Sequence, residues 1–370
     1  MPTAPQFVTI NQQAILDELI LDYQNRTGRV LAPAQVERLI LDMMAFREGL
    51  TLQKIQDTAL QNLVDFSRAP FLDYLGALLG VNRLAATGAV ANFTATLVTG
   101  HGGVTIPAGT RISSPDGLAV FITESDVSAT IGVNSVTVDA VCTATGSVGN
   151  NYAIGGVNVI LDPQAFLSAM SNNELTAGGS SEETDALYRE RIKLAPAQFS
   201  NAGSRDAYKF HARTASPVII DVSVLGPEDG LLPGNVEVYP LMNDGTVTPS
   251  PIISAVESAV NSERVRPLTD TVTVVSPTPL NYSITLDVTL YDTADVNDTI
   301  SAIETALDEF TTEKRQKLGR DITLSQVVNV AQIEGVYSAV LTGWADVIVS
   351  GTEFPVCTSI TVNFIGQTNG

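Results

Sequence analysis

The chain has 370 residues, 44% hydrophobic and 16% charged, with 40 acidic residues against 20 basic ones and a formal charge of −20. That balance describes a folded chain of about two to four domains and not a disordered one. It repels phosphate backbones and anionic lipid, so nucleic-acid binding and membrane insertion are disfavoured as main roles, while basic faces on partner proteins suit it.

The first elements are helical. "NQQAILDELILDYQNRTG" places Ile15, Leu19, Ile20 and Tyr23 at helical spacing, with Gly28 as the stop. After Pro33, "AQVERLILDMMAFREGLTLQKIQDTALQNLVDFSRA" runs without a proline. It predicts a helix of about 35 residues, ~50 Å long by its rise. Val36, Ile40, Met43, Phe46 and Leu50 form one stripe, which Ala59, Leu63 and Phe66 continue. Such a stripe is either an intramolecular core or a bundle shared between chains, and the scarcity of helices to cover it favours the bundle. "PFLDYLGALLGVNRL" adds a short third helix ending near Gly80.

From Gly88 the pattern alternates in the β manner, through "AVANFTATLVTG", "GVTIPAGTRISS", "LAVFITESDVSAT" and "VNSVTVDAVCTATGS". Arg111 is the only Lys or Arg between Gly88 and Ile160. The glycine-rich "GGVTIPAGT" lacks the Lys-Ser/Thr pair of a phosphate loop, so Pro107 and Gly109 read as a turn. Further on, Ser180 and Glu183 stand at capping-box spacing, which predicts a helix start there. Ser204 opens a second helix that closes before Pro217. Strand and helix then alternate: "VIIDVSVLG", "GNVEVYPL", "SPIISAVESAVNSE", "TDTVTVVSP", "NYSITLDVTLYD", "VNDTISAIETALDEFTTEKRQ" and "ITLSQVVNVAQIEGVYSAVLTG". The expected fold is α+β and multidomain, with long N-terminal helices (1–85), a small central β-rich domain (86–175) and C-terminal α+β sandwich units (176–275 and 276–370).

No catalytic chemistry emerges. There is no GxSxG elbow and no HExxH, and the two histidines, His101 and His211, have no evident partners. Asp292, Asp295 and Asp298 lack the spacing of a calcium loop, and Asp295 or Asn297 reads as a helix cap. Cys142 and Cys357 form neither a disulfide framework nor a zinc motif, and their apolar settings predict buried free thiols in a reducing compartment. "MPTAPQFVTI" shows no signal peptide, and no window is apolar enough to span a membrane. The expectation is therefore a non-enzyme with no cofactor and no metal site. The cluster Arg189, Arg191, Lys193, Arg205, Lys209 and Arg213 either sits near helix C-termini or meets an acidic face of a neighbouring subunit.

Taken in order, these segments resemble the baseplate J-like proteins of contractile phage tails and related injection systems. The likeness runs through "LDELILDYQNRTGRVLAPAQVERLILDMMAFREGL", "QNLVDFSRAPFLDYLGALLGVNRL", "IPAGTRISSPDGLAVFIT", "ATGSVGNNYAIGGV", "GGSSEETDALYRERI" and "GSRDAYKFHARTASPVIIDVSV". The resemblance implies a structural wedge protein of the virion tail baseplate, assembled in the host cytoplasm, that couples host contact to sheath contraction. Implied partners are a second copy of the chain, a tail protein I-like wedge partner, and hub and sheath-initiator proteins. It also implies an inter-chain helical bundle, to which Ile15, Leu19, Leu39, Ile40, Met43, Phe46, Leu50, Leu63 and Phe66 are assigned. Residues 276–370 would form a dimerisation domain, and Arg189, Arg205, Asp287, Trp344 and Phe364 are assigned to copy-to-copy contacts. Competing readings are a host-binding adhesin or fibre module and a component of a non-phage injection system.

Overall fold

The computed structural model describes residues 3–200, 203–243, 245 and 247–370. Its contacts divide the chain into two units: Met1–Arg83 with Tyr188–Lys193, and Leu84–Leu187 with Leu194–Gly370.

In the first unit, helix α1 (Gln12–Thr27) starts at Asn11, whose side-chain oxygen accepts from the Ala14 amide at 3.1 Å. It stops at Gly28, where φ of +69° lets the amide close on the Gln24 carbonyl at 2.8 Å. Helix α2 (Val36–Leu60) has 25 residues, shorter than the sequence pattern suggests. Its end has a local cause and a distant one. The Asn62 side chain turns back onto the Thr58 carbonyl at 2.9 Å, and the Asn62 and Leu63 amides tighten onto the Ala59 and Leu60 carbonyls. Beyond them, Arg189 donates to the carbonyls of Val64 and Ser67, both at 2.7 Å, carbonyls that a continued helix would bond to the amides of Arg68 and Phe71. Leu63 and Phe66 consequently lie half-buried in turns and not on a continued stripe. Helix α3 (Phe71–Leu78) follows, and Tyr188 donates its hydroxyl to the Val81 carbonyl just after it at 2.8 Å.

The second unit begins with the β-rich region: β1 (Gly88–Leu97), β2 (Val104–Ile106), β3 (Arg111–Ser113), β4 (Val120–Thr123), β5 (Val127–Ala129), β6 (Ser135–Thr145), β7 (Val159–Ile160) and β8 (Leu167–Asn172). Six of these form one antiparallel sheet in the order β7-β3-β4-β6-β1-β8, and β2 pairs with β5. Alternate residues of β1 (Ala89, Ala91, Phe93, Ala95) point into a core with Ile112, Phe121, Val138 and Met170. The Pro107–Thr110 stretch is a turn: the Pro107 carbonyl accepts the hydroxyls of Thr110 and Thr123, each at 2.8 Å, and Gly109 takes φ of +81°.

Helix α4 (Asp185–Leu194) starts later than the expected capping box. The Ser180 amide bonds the Thr87 carbonyl at 3.0 Å, and the Glu183 carboxylate accepts from the Leu84 amide at 3.0 Å. Long-range pairing has taken both capping groups. Helix α5 (Arg205–Ala215) is capped by Ser204 as expected, and Asn201 and Ala202 before it lie outside the described residues. With β9 (Ile219–Leu225), β10 (Asn235–Met242), α6 (Ser250–Val260) and β11 (Thr271–Val274) it forms the first α+β layer, in which the sheet order is β11-β10-β9.

The second layer contains β12 (Thr278–Tyr291), α7 (Val296–Arg315), α8 (Leu324–Ala331), β13 (Val336–Leu341) and β14 (Glu353–Thr368), with sheet order β13-β12-β14. Asp295 caps α7 through the Asn297 and Asp298 amides, each at 3.0 Å. Ile284, Leu286, Val288 and Leu290 of β12 pack on Ile303 and Leu307 of α7 and Val327 of α8. The sequence pattern does not announce β14. Its pairing with β12 shifts register where Thr358 and Ile365 fall, which breaks the period-two alternation that would mark a strand. The whole is a multidomain α+β protein with N-terminal helices, a central β-rich domain and two C-terminal α+β layers. No helix among the described residues is long and apolar enough to cross a membrane.

Candidate assembly surfaces

Helix α2 is apolar on two faces. Ala45 and Gly49 are buried, Leu41, Leu52 and Gln56 are half-buried, and α1 packs along the helix. Gln56 also ties down the chain start, accepting from the Phe7 amide at 2.8 Å and donating to the Pro5 carbonyl at 2.8 Å. Leu39, Ile40, Met43, Phe46 and Leu50 are exposed, as are Val36, Met44 and Ile55. Ile15 and Leu19 are half-buried on α1. The assigned bundle residues thus divide: five form an exposed face on α2, while Ile15, Leu19, Leu63 and Phe66 are partly covered by their own chain. An exposed apolar row of this size on a helix marks an interaction surface or an aggregation hazard.

The cations of α4 engage groups of their own chain. Arg189 holds the Val64 and Ser67 carbonyls, and the buried Arg191 donates to the Asn82 carbonyl. Lys193 pairs with Asp65, which raises the ammonium pKa. Each of these cations answers carbonyls or a carboxylate of its own chain. Arg205 does reach the surface. It pairs with Asp229 at 2.8 Å and Glu228 at 3.4 Å, and lines a cavity of about 580 Å³ with Tyr208, Val224 and Asp270. The Tyr208 hydroxyl donates to Asp270 at 2.8 Å, and burial and that carboxylate together push its pKa up.

In the second α+β layer, Asp287 of β12 accepts the Thr342 hydroxyl at 2.6 Å and the Asn363 amide at 2.9 Å, and these hydrogen bonds hold its carboxyl below the usual range. Asn363 is the register partner of Asp287 on β14, and the exposed Phe364 follows it. Asp287 and Phe364 therefore share one sheet. Trp344 is separate from them: its ring stands edge-on to Tyr282 at 6.3 Å, and its Nε1 donates to Asp346 at 3.2 Å.

Neither histidine sits in a catalytic arrangement. His101 is buried, with Nε2 at 2.9 Å from the Val133 carbonyl and the Gly103 amide donating to Nδ1 at 3.2 Å, a geometry that fixes the Nε2–H tautomer. His211 is half-buried in α5, and burial lowers its pKa. Among the described residues no group of His, Cys, Asp and Glu is arranged to hold a metal ion. Cys142 is buried and Cys357 half-buried, both as free thiols.

Three family models align in series along this architecture. The Baseplate J-like protein barrel domain matches residues 91–179, the Baseplate J-like central domain 200–276, and the Baseplate J-like protein C-terminal domain 282–363. This chain belongs to the baseplate J-like family. Baseplate protein J of Escherichia phage P2 is 33% identical over 181 residues, covering 49% of this chain and 59% of that protein. A cryo-EM structure of the anti-feeding prophage (AFP) baseplate, 6-fold symmetrised, aligns over 95% of this chain and 90% of its own with a TM-score of 0.36 and 13% identity. The three matched spans of this baseplate J-like chain begin within β1 and end within β14, so the helices that carry the exposed face lie outside all of them.

Proposed function

We propose that this chain is a structural wedge component of a contractile-tail baseplate, in a phage or a related injection system. The observation that carries the reading is the exposed apolar face of α2 on a chain whose residues 91–179, 200–276 and 282–363 match three baseplate J-like domains. A helix with one face packed on its neighbour and a second face bare is a protomer awaiting other chains. The partners would be a second copy, a tail protein I-like wedge protein, and hub and sheath-initiator proteins. The chain would be assembled in the host cytoplasm and located at the tail baseplate. Residues 1–85 would serve as the assembly segment, 86–175 as the β module, and 176–275 and 276–370 as the α+β modules, the last joining copies through the sheet that carries Asp287 and Phe364.

Its task would be mechanical. A ring of such wedges holds the sheath extended, and host contact switches the ring to a second packing that releases contraction. Packed interfaces suit this because they change between discrete arrangements and do not stretch. Two measurements test the reading. Antibody labelling of native particles should place the chain at the distal end of a contractile tube in negative-stain micrographs; label on slender fibres would favour an adhesin. Met43→Asp should abolish wedge formation in a co-expression pull-down while leaving the circular dichroism of the purified chain unchanged. Intact wedges with Met43→Asp would remove α2 from the assembly surface.

A further inference from the structure

The sheet of the second α+β layer, ordered β13-β12-β14, leaves β14 at its edge. Among the described residues, no strand other than β12 bonds the backbone of Ser359–Gln367. Between the register shifts at Thr358 and Ile365, Ser359–Phe364 keep regular pairing, which makes a free edge of about 20 Å by the rise of a strand. Proteins guard such edges with charge, proline or cover. Here no Lys, Arg, Asp or Glu stands between Phe354 and Gly370, and the last proline is Pro355. A row of free amides and carbonyls is matched by one kind of partner, another extended backbone.

The side chains beside this edge narrow the partner further. Ile360, Val362 and Phe364 stand in register with the buried Ile284, Leu286 and Val288, so they lie on the side of the sheet that carries α7. Phe364 is 42% exposed, and Ile360 and Val362 are half-buried, which leaves an apolar ledge along the edge. Ser359, Thr361 and Asn363 line the opposite side. Helix α7 lies along β14, and α8 along β13. The α7 flank towards β14 is acidic: Glu304 and Asp308 are exposed one turn apart, and among the described residues neither is in an ion pair. Burial first, and the Asp308 carboxylate with it, raises the Cys357 thiol of β14, which puts this flank near the strand.

A second copy fits the edge badly. Two β14 strands joined about a two-fold axis run antiparallel, with both α7 helices on one face of the continuous sheet. Their Glu304 and Asp308 flanks then confront each other across the junction, like charge against like. We propose that Ser359–Phe364 accept an extended strand from a different protein, with apolar and basic side chains facing α7 and small polar ones facing away. This goes beyond the wedge reading. It uses the edge of the sheet, whereas Asp287 lies on the face turned away from α7.

The probe is a labelled peptide, Thr-Val-Thr-Lys repeated, added to the full-length chain at low ionic strength. Fluorescence anisotropy should show saturable binding. Hydrogen exchange should slow at residues 359–364 and not at β9 or β11, the edges of the first layer's sheet. Exchanging each Lys of the peptide for Glu should weaken binding by about five- to ten-fold, the effect of turning two exposed attractions into repulsions. Glu304→Lys with Asp308→Lys should reverse that preference. Phe364→Ser should weaken both peptides by about three- to ten-fold through lost apolar contact, with unchanged circular dichroism. Unslowed exchange at 359–364 under excess peptide, equal binding of the Lys and Glu peptides, or parent-like binding by Phe364→Ser overturns the proposal. Slowing at 359–364 that grows with protein concentration alone also overturns it and assigns the edge to a second copy.

Discussion

The guanidinium of Arg189 reaches back across 125 residues of sequence to the carbonyl of Val64, at 2.7 Å, and its second arm takes the carbonyl of Ser67 at the same distance. Arg189 thereby replaces the hydrogen bonds that the chain forgoes when it leaves α2. Replacing it by Met leaves two partly buried carbonyls unanswered, at about 1–3 kcal/mol for an unsatisfied buried group. Arg189→Met should therefore destabilise the N-terminal unit by about 2–3 kcal/mol. Arg189→Lys should recover less than half, because an ammonium cannot supply the two-armed geometry. Urea unfolding followed by fluorescence, with hydrogen exchange at residues 60–70 as the local readout, checks both variants.

A second contact of the same segment reverses an ordinary rule. Gly to Ala inside a helix usually stabilises by about 1 kcal/mol. At Gly76 of α3 an added Cβ would collide with the Tyr188 hydroxyl and press on the Val81 carbonyl that this hydroxyl bonds. Gly76→Ala should destabilise, by about 1–3 kcal/mol as overpacking does elsewhere. A midpoint of thermal unfolding at or above that of the parent would contradict it.

Much of the fold was legible because its signals are local. Gly28 closes α1, Ser204 and Asp295 cap α5 and α7, and the Pro107–Gly109 turn needs no distant partner. The errors fall where a distant group intervenes. The end of α2 depends partly on Arg189, and the capping groups at Ser180 and Glu183 are taken by Thr87 and Leu84. Strand β14 escaped because its two register shifts hide the alternation. For the candidate surface, the apolar character of α2 was visible. Its division into a face packed by α1 and a bare seam was not, since a pattern of apolar residues does not say which of them its own chain covers.

Arg111, the only Lys or Arg in its stretch of sequence, makes a testable electrostatic contact. Asp162 accepts from the Arg111 Nε at 2.9 Å, Nη2 at 2.8 Å and amide at 3.0 Å, and these bonds lower its pKa from 3.8 to about 2. A carboxylate with a depressed folded pKa contributes its stability above the unfolded value, near 3.8, and loses it as pH falls towards 2. Arg111→Met should bring the Asp162 pKa part of the way back towards the ordinary value, since the residue 111 amide still donates to Asp162, and remove the side-chain share of the acid dependence. A carboxyl titration by NMR on the parent and variant reads the shift directly; an unmoved Asp162 would show that Arg111 is not its cause.

Phe354, near the start of β14, is fully buried against Ile220 and Leu241, with Leu318 and Val356 around it. It therefore packs the long strand of the second α+β layer onto residues of the first. Phe354→Ala empties the centre of that cluster, at about 3–5 kcal/mol. The loss should be uneven. Because β14 pairs only with β12 in its sheet, on one side, its amides should exchange faster along the segment nearest residue 354 while those of β1 and β6 in the β-rich domain keep their protection. Hydrogen exchange followed by mass spectrometry separates the two. Uniform loss across both regions would mean that the second unit unfolds as one cooperative body, and the β14 junction would then be a contributor to global stability and not a local hinge between layers.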